Sequence, residues 1–260
     1  MVPRQHVASS PLDVAGSFAV SAAVAAIVAV SLLLPGAEAG KPESPVRLLL
    51  VTGVDPAHNW RATTPALRAA LEQGGRIEVR VVEDPEFLAS PAIFQYDVVL
   101  LHFMNDKPLK HAQQVQHNLA SFVREGKGLV VFHFACGALE GWDEFARLAG
   151  RIWDRKRTHD PRGRFLVRIV DQQHPITRGL KDFEADDELY FCLTGDAAVQ
   201  LLAVARSKVT KQDEPMALVL EYGKGRVFNT PLGHDAKAIA MPGVAELLRR
   251  GCLWAAGRQP

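Results

Sequence analysis

Short apolar runs alternate with amphipathic stretches through the first half of the chain, and that alternation restricts the architectures open to it. The runs are "VRLLLVTG" from Val46, "RIEVRVVED" from Arg76, "YDVVLLHF" from Tyr96 and "LVVFH" from Leu129. Each is short and rich in residues that suit a buried strand. Between the first two, "TTPALRAALEQGG" reads as a helix. Thr63 or Thr64 caps it, Pro65 fits its first turn, Leu67, Ala70 and Leu71 form its stripe, and Gly74-Gly75 stop it. A second helix, "HAQQVQHNLASFVREGKG", puts Val115, Leu119, Phe122 and Val123 on one face. Parallel strands need crossover helices, so this order predicts an open α/β sheet whose site lies in the loops leaving the strands' carboxyl ends. Those loops are 53–60, 102–108 and 133–142.

The second half is more mixed. "RFLVRIVD", "ELYFCL", "VQLLAVARS", "MALVLEYG" and "GRVFNTPLG" read as strands, several of them antiparallel, and "GVAELLRRGCLWAAG" as a closing amphipathic helix. With 48% hydrophobic residues, the stretch 45–258 can bury the core of one domain. The net charge of +1 supplies no basic field for nucleic acid, and the cluster Arg155-Lys156-Arg157 reads as a solvated loop.

The N-terminus has its own character. Residues 16–34 carry no charge, Pro35-Gly36 breaks any helix, and Ala37-Glu38-Ala39 has the A-x-A form of a cleavage site. Residues 1–39 therefore read as a signal peptide, or as a retained membrane anchor, the only contact with a membrane expected of this chain. Both readings place the folded part on the exported side, periplasmic or secreted. Cys136, Cys192 and Cys252 are three and far apart, which excludes a disulfide-stapled scaffold and leaves at least one unpaired thiol.

The candidate site residues are mostly histidines. His58, His133 and His234 each follow a predicted strand, and His159 lies in the loop "RTHDP". A doubly wound sheet can gather them at one edge, where imidazoles serve as acid/base groups or as ligands of a divalent metal such as zinc. His133 and His234 are the metal and catalytic candidates. Glu188 joins them as a catalytic carboxylate from "EADDELYFCL". His58, Trp60, His159, Asp187 and Asp235 are candidates for binding substrate. Tryptophans beside imidazoles and carboxylates suit a carbohydrate, whose ring faces are apolar and whose rim is hydroxylated.

The ordered set "GVDPAHNW", "GKGLVVFH", "GRIWDRKRTH", "VDQQHPITRGL", "DELY" and "GKGRVFNTPLGHD" followed by "LWAAG" resembles the ThuA-like family, named for trehalose utilisation. The resemblance implies a flavodoxin-like, open, mostly parallel sheet with helices on both faces, related to class I glutamine amidotransferases. It also implies a role in sugar or keto-sugar metabolism. The amidotransferase elbow reads G-x-C-x-G, whereas in "HFACG" Ala135 occupies the nucleophile position and Cys136 falls one residue later. The chain is therefore expected not to be an amidotransferase. Three readings stay open: an exported isomerase, lyase or hydrolase acting on a carbohydrate, a catalytically silent module that binds a carbohydrate or a partner, or an amidase or protease that uses Cys136.

Overall fold

The computed structural model describes residues 43–260 apart from Arg157 and Cys192. The expected signal or anchor segment lies outside the described residues. Within them, no helix is long and apolar enough to cross a membrane.

Nine strands form one sheet among the described residues, in the order β2-β1-β3-β4-β9-β8-β7-β5-β6. The first half follows the expected alternation: β1 (Val46–Val51), α1 (Trp60–Glu72), β2 (Ile77–Val82), β3 (Val98–Leu101), α2 (Ala112–Arg124) and β4 (Gly128–Phe132). β5 (Gly163–Ile169), β6 (Phe183–Asp187), β7 (Gln200–Arg206), β8 (Asp213–Tyr222) and β9 (Gly225–Thr230) follow, and the short α3 (Phe145–Ala149) precedes them. After β9 come one turn of helix, α4 (Ala236–Ile239), and the closing α5 (Pro242–Ala255). β2, β1, β3, β4 and β9 run parallel. The sheet continues antiparallel through β8, β7, β5 and β6.

The strands of the parallel half are buried on both faces because helices cover both. Leu48, Leu50, Val98, Leu100, Val130 and Phe132 face a core shared with Leu67 and Leu71 of α1 and Leu247 and Leu248 of α5. Their alternate neighbours Leu49, Val51, Val99, Leu101, Leu129 and Val131 face a second core with Val115, Leu119 and Phe122 of α2. The period-2 side-chain alternation of a strand thus serves two apolar layers at once. Residues 43–260 form one compact unit.

Two local expectations change. α1 starts at Trp60 and is capped by Asn59, whose side chain accepts the Ala62 N–H, so Thr63 and Thr64 lie inside the helix. Their hydroxyls are redirected to the Trp60 carbonyl and to His102. In the acidic region the strand is "FEADD" (β6), one segment earlier than "ELYFCL". β6 is an edge strand with one partner, so polar residues are tolerated on its open face. Leu189, Tyr190 and Phe191 are instead buried outside any extended strand, beneath the cleft described next.

Candidate functional site: a histidine cluster at the sheet's carboxyl edge

β1 lies between β2 and β3, so the chain leaves β1 on one side and returns on the other. The loops beyond the strand ends part at such a reversal and leave a crevice. His58 enters it from the loop after β1, His133 from the end of β4 and His234 from the loop after β9. Their rings form a triangle, with centroids 5.1 Å apart for His58–His133, 5.1 Å for His58–His234 and 5.5 Å for His133–His234. Glu188 completes the group. One ligand atom from each of the four lies within 4.8 Å of every other.

Each imidazole is held from behind. His133 is the first residue past β4 and opens a short 3-10 turn, His133–Gly137, with a left-handed φ of 49°. Non-glycine residues rarely hold this conformation, and here the sharp strand-to-turn junction carries an imidazole, two residues before the Ala135 that stands at the elbow's nucleophile position. His133 Nδ1 lies 2.6 Å from the Pro231 carbonyl, to which it donates. That leaves Nε2 without a proton and facing the cluster. Complete burial, with His58 nearby, pushes the His133 pKa well down and keeps the ring neutral. His58 Nδ1 contacts the buried Asp55 carboxylate at 3.1 Å, and the same carboxylate accepts the His58 backbone N–H.

His234 Nδ1 lies 3.0 Å from Glu188 Oε2, a charge-pairing distance without hydrogen-bond geometry. That buried nitrogen lacks a hydrogen-bond partner. The Glu188 carboxylate raises the His234 pKa. Burial pushes Glu188 up, but His234, then His159 and His58, outweigh it and hold its carboxyl below the usual range. His159 stands at the rim, its Nε2 3.6 Å from Glu188 Oε1.

Over the cluster opens a cleft of about 230 Å³, lined among others by His58, Phe134, Trp153, His159, Glu188 and His234. Three residues expected to touch substrate do not line it. Asp187 is fully buried, and its two oxygens accept the backbone N–H groups of Gly233, His234 and Glu188. Asp235 caps α4 through the Ala238 N–H and pairs with Arg162. Trp60 is buried and packs with Met104 and Phe134 as part of the cleft's support.

Other contributors carry little signal in the sequence. Tyr190 places its hydroxyl 3.3 Å from His133 Nε2 and 3.4 Å from His58 Nε2, and burial raises its pKa well above the usual phenol value. Asp55, in "DPAH", had a readable signal, since an Asp three residues before a loop histidine can form such a turn. His102 sits behind Phe134, its ring 4.8 Å away, enclosed by the hydroxyls of Thr52, Thr63 and Thr64. Cys136 is buried, and burial pushes its thiol up to about 12. It is no activated nucleophile.

The ThuA family model, described as "Trehalose utilisation", matches residues 47–255. The chain belongs to the ThuA family. A ThuA-like protein from Parabacteroides merdae shares 26% identity and a TM-score of 0.73, covering 83% of this chain and 91% of that one. One from Bacteroides uniformis shares 18% identity and a TM-score of 0.65 over 85% of this chain and 95% of its own. The β-galactosidase of Bacillus circulans sp. alkalophilus, 15% identical with a TM-score of 0.55, covers 84% of this chain with 32% of its own and shares the fold alone. No curated protein matches the chain in sequence.

Proposed function

We propose that this ThuA-family protein is an exported, divalent-metal-dependent enzyme that acts on a sugar or keto-sugar held in the histidine cleft. The observation that carries the reading is the His58–His133–His234–Glu188 cluster, whose ligand atoms already lie within 4.8 Å of one another. Three imidazoles and one carboxylate are a donor set suited to zinc and its first-row neighbours. Asp55 behind His58 and the Pro231 carbonyl behind His133 are the outer partners that orient metal-ligating imidazoles. His234 Nδ1 and Glu188 Oε2 face each other at 3.0 Å without hydrogen-bond geometry, an arrangement that suits two ligand atoms sharing a cation. Export rests on the uncharged run 16–34 and the A-x-A that follows it.

A metal bound there would polarise a substrate carbonyl or hydroxyl oxygen. The remaining roles fall to residues outside the ligand set. His159 Nδ1 donates to the Asp160 carbonyl at 2.7 Å, which leaves Nε2, 3.6 Å from Glu188 on the cleft side, without a proton and able to act as the base for a proton next to a carbonyl. The Tyr190 hydroxyl donates to an oxygen gaining charge, or returns a proton to the neighbouring carbon. Isomerisation or elimination on a keto-sugar needs this pairing of one base and one donor. Glycoside hydrolysis by two opposed carboxylates fits less well, because among the described residues Glu188 is the one carboxylate lining the cleft.

The inert Cys136 favours a second reading, a silent carbohydrate-binding module on an elbow without a nucleophile. Elemental analysis of the untagged protein tests the first. A stoichiometric first-row metal that disappears in His133→Ala and His58→Ala, with an unchanged circular dichroism spectrum, is the expected result. A folded protein that stays metal-free after incubation with zinc, manganese, iron or cobalt rejects it. A metal-loaded protein without turnover on a panel of keto-glycosides selects the binding module.

A further inference from the structure

A second hollow of about 250 Å³ adjoins the histidine cleft, and none of the roles assigned so far uses it. The two share Cys136 and Trp153 in their walls. The second is lined by the segment that follows the His133 turn, including Glu140, Trp142 and Asp143, and by Arg155 from beyond Trp153.

Its wall is braced with some strain. Leu139 and Arg155 adopt left-handed φ angles of 56° and 59°, which non-glycine residues rarely hold without support from their surroundings. The support is visible. The Arg155 guanidinium donates to the carbonyls of Gly137 at 2.7 Å and Asn105 at 3.1 Å, pairs with Glu140 at 2.7 Å, and lies 5.8 Å from the centre of the Trp153 ring. The buried Asn105 in turn accepts the Leu139 N–H at 2.7 Å. Strained residues held by this many contacts cluster where a surface is shaped for a ligand.

The chemistry of the lining selects the ligand class. Glu140 neutralises Arg155, and Asp143 adds a carboxylate, so the hollow offers no excess positive charge to a phosphate or carboxylate. Two indoles beside carboxylates fit a neutral ring with apolar faces and a hydroxyl rim. We propose that this hollow is a second carbohydrate subsite, so that the protein takes a two-ring glycoside with one ring over the histidine cluster and the other beside Trp142 and Asp143. This inference rests on the reading of the histidine cleft as a sugar site.

Calorimetric titration of the purified protein with a panel of methyl glycosides and the matching disaccharides, trehalose and cellobiose included, tests it. The best disaccharide is expected to bind about tenfold more tightly than its one-ring counterpart. Trp142→Ala and Asp143→Asn are each expected to remove that advantage while leaving one-ring affinity and metal content unchanged. The exposed Asp143 keeps the test open should Trp142→Ala fail to fold. One-ring and two-ring ligands of equal affinity, or an advantage that survives Asp143→Asn and a folded Trp142→Ala, overturn the second subsite alone. No binding by any member of the panel overturns the sugar reading and this inference with it.

Discussion

The Asp187 carboxylate holds His234 by its backbone: Oδ1 accepts the His234 N–H at 3.1 Å while Oδ2 accepts the Gly233 N–H at 2.6 Å. Oδ1 also accepts the N–H of Glu188 at 2.8 Å. One buried side chain therefore sets the positions of two members of the cluster. Burial pushes its pKa up to about 6 against the pull of these three donors.

Asp187→Asn replaces one acceptor oxygen with an amide that cannot accept, so one of the loop N–H groups loses its partner. Metal affinity is expected to fall about 10- to 100-fold, the usual effect of removing an outer partner, with the fold intact. Competition against a chromophoric zinc chelator measures it. Wild-type affinity in the variant would mean that Asp187 only stabilises the loop.

Burial holds the His102 pKa down to about 3, against an ordinary value of 6.5. Its ring stays neutral in the folded protein and takes up a proton in the unfolded chain below about pH 6.5. The contribution to stability is therefore full above that pH and is lost as pH falls towards 3, up to roughly 5 kcal/mol across the window. Urea unfolding of wild type and His102→Gln at pH 7 and pH 4.5 checks this. The wild type is expected to lose more stability than the variant between the two pH values, and parallel losses would refute it.

Cys136 is expected to remain a bystander. Its thiol, pushed up to about 12, is protonated at neutral pH. Iodoacetamide should label the folded protein slowly at this position, and Cys136→Ser should change turnover or metal content less than about twofold. Mass spectrometry of the labelled peptide and an assay of the variant report both quantities. Abolished activity in Cys136→Ser would restore a nucleophile mechanism.

Gly233 joins the β9 loop to His234 with a φ of 112°, and a Cβ there would collide with the Phe132 ring. Gly233→Ala is expected to lose about 1–2 kcal/mol from the backbone alone, with more from the displaced ring. Thermal unfolding combined with metal titration should show stability and metal affinity falling together. A stable variant with normal affinity would show that the loop adapts without disturbing the cluster.

Much of the scaffold is legible in the residue pattern. β1, β3 and β4 announce themselves because parallel strands covered on both faces must be apolar at nearly every position, as Leu48 to Val51 and Leu129 to Phe132 are. α2 was readable from the spacing of Val115, Leu119 and Phe122, all fully buried. β6 was not, because an edge strand can carry Glu184 and Asp186 on its open face. The aromatic run after it looks like a strand although it packs beneath the cleft.

The open α/β sheet, the ThuA resemblance and the loops in which His58, His133 and His234 lie follow from residue order alone, since these depend on local periodicity and on strand ends. Tertiary structure decided which polar groups meet. Asp187 and Glu188 are chain neighbours, yet one is turned into the interior to hold a loop while the other faces the histidines. Tyr190 reaches His58 across 132 residues of chain and His133 across 57. Local propensity carries no information about such pairings. They are fixed when β1, β4 and β9 take their places in one sheet and bury the apolar residues that set its order.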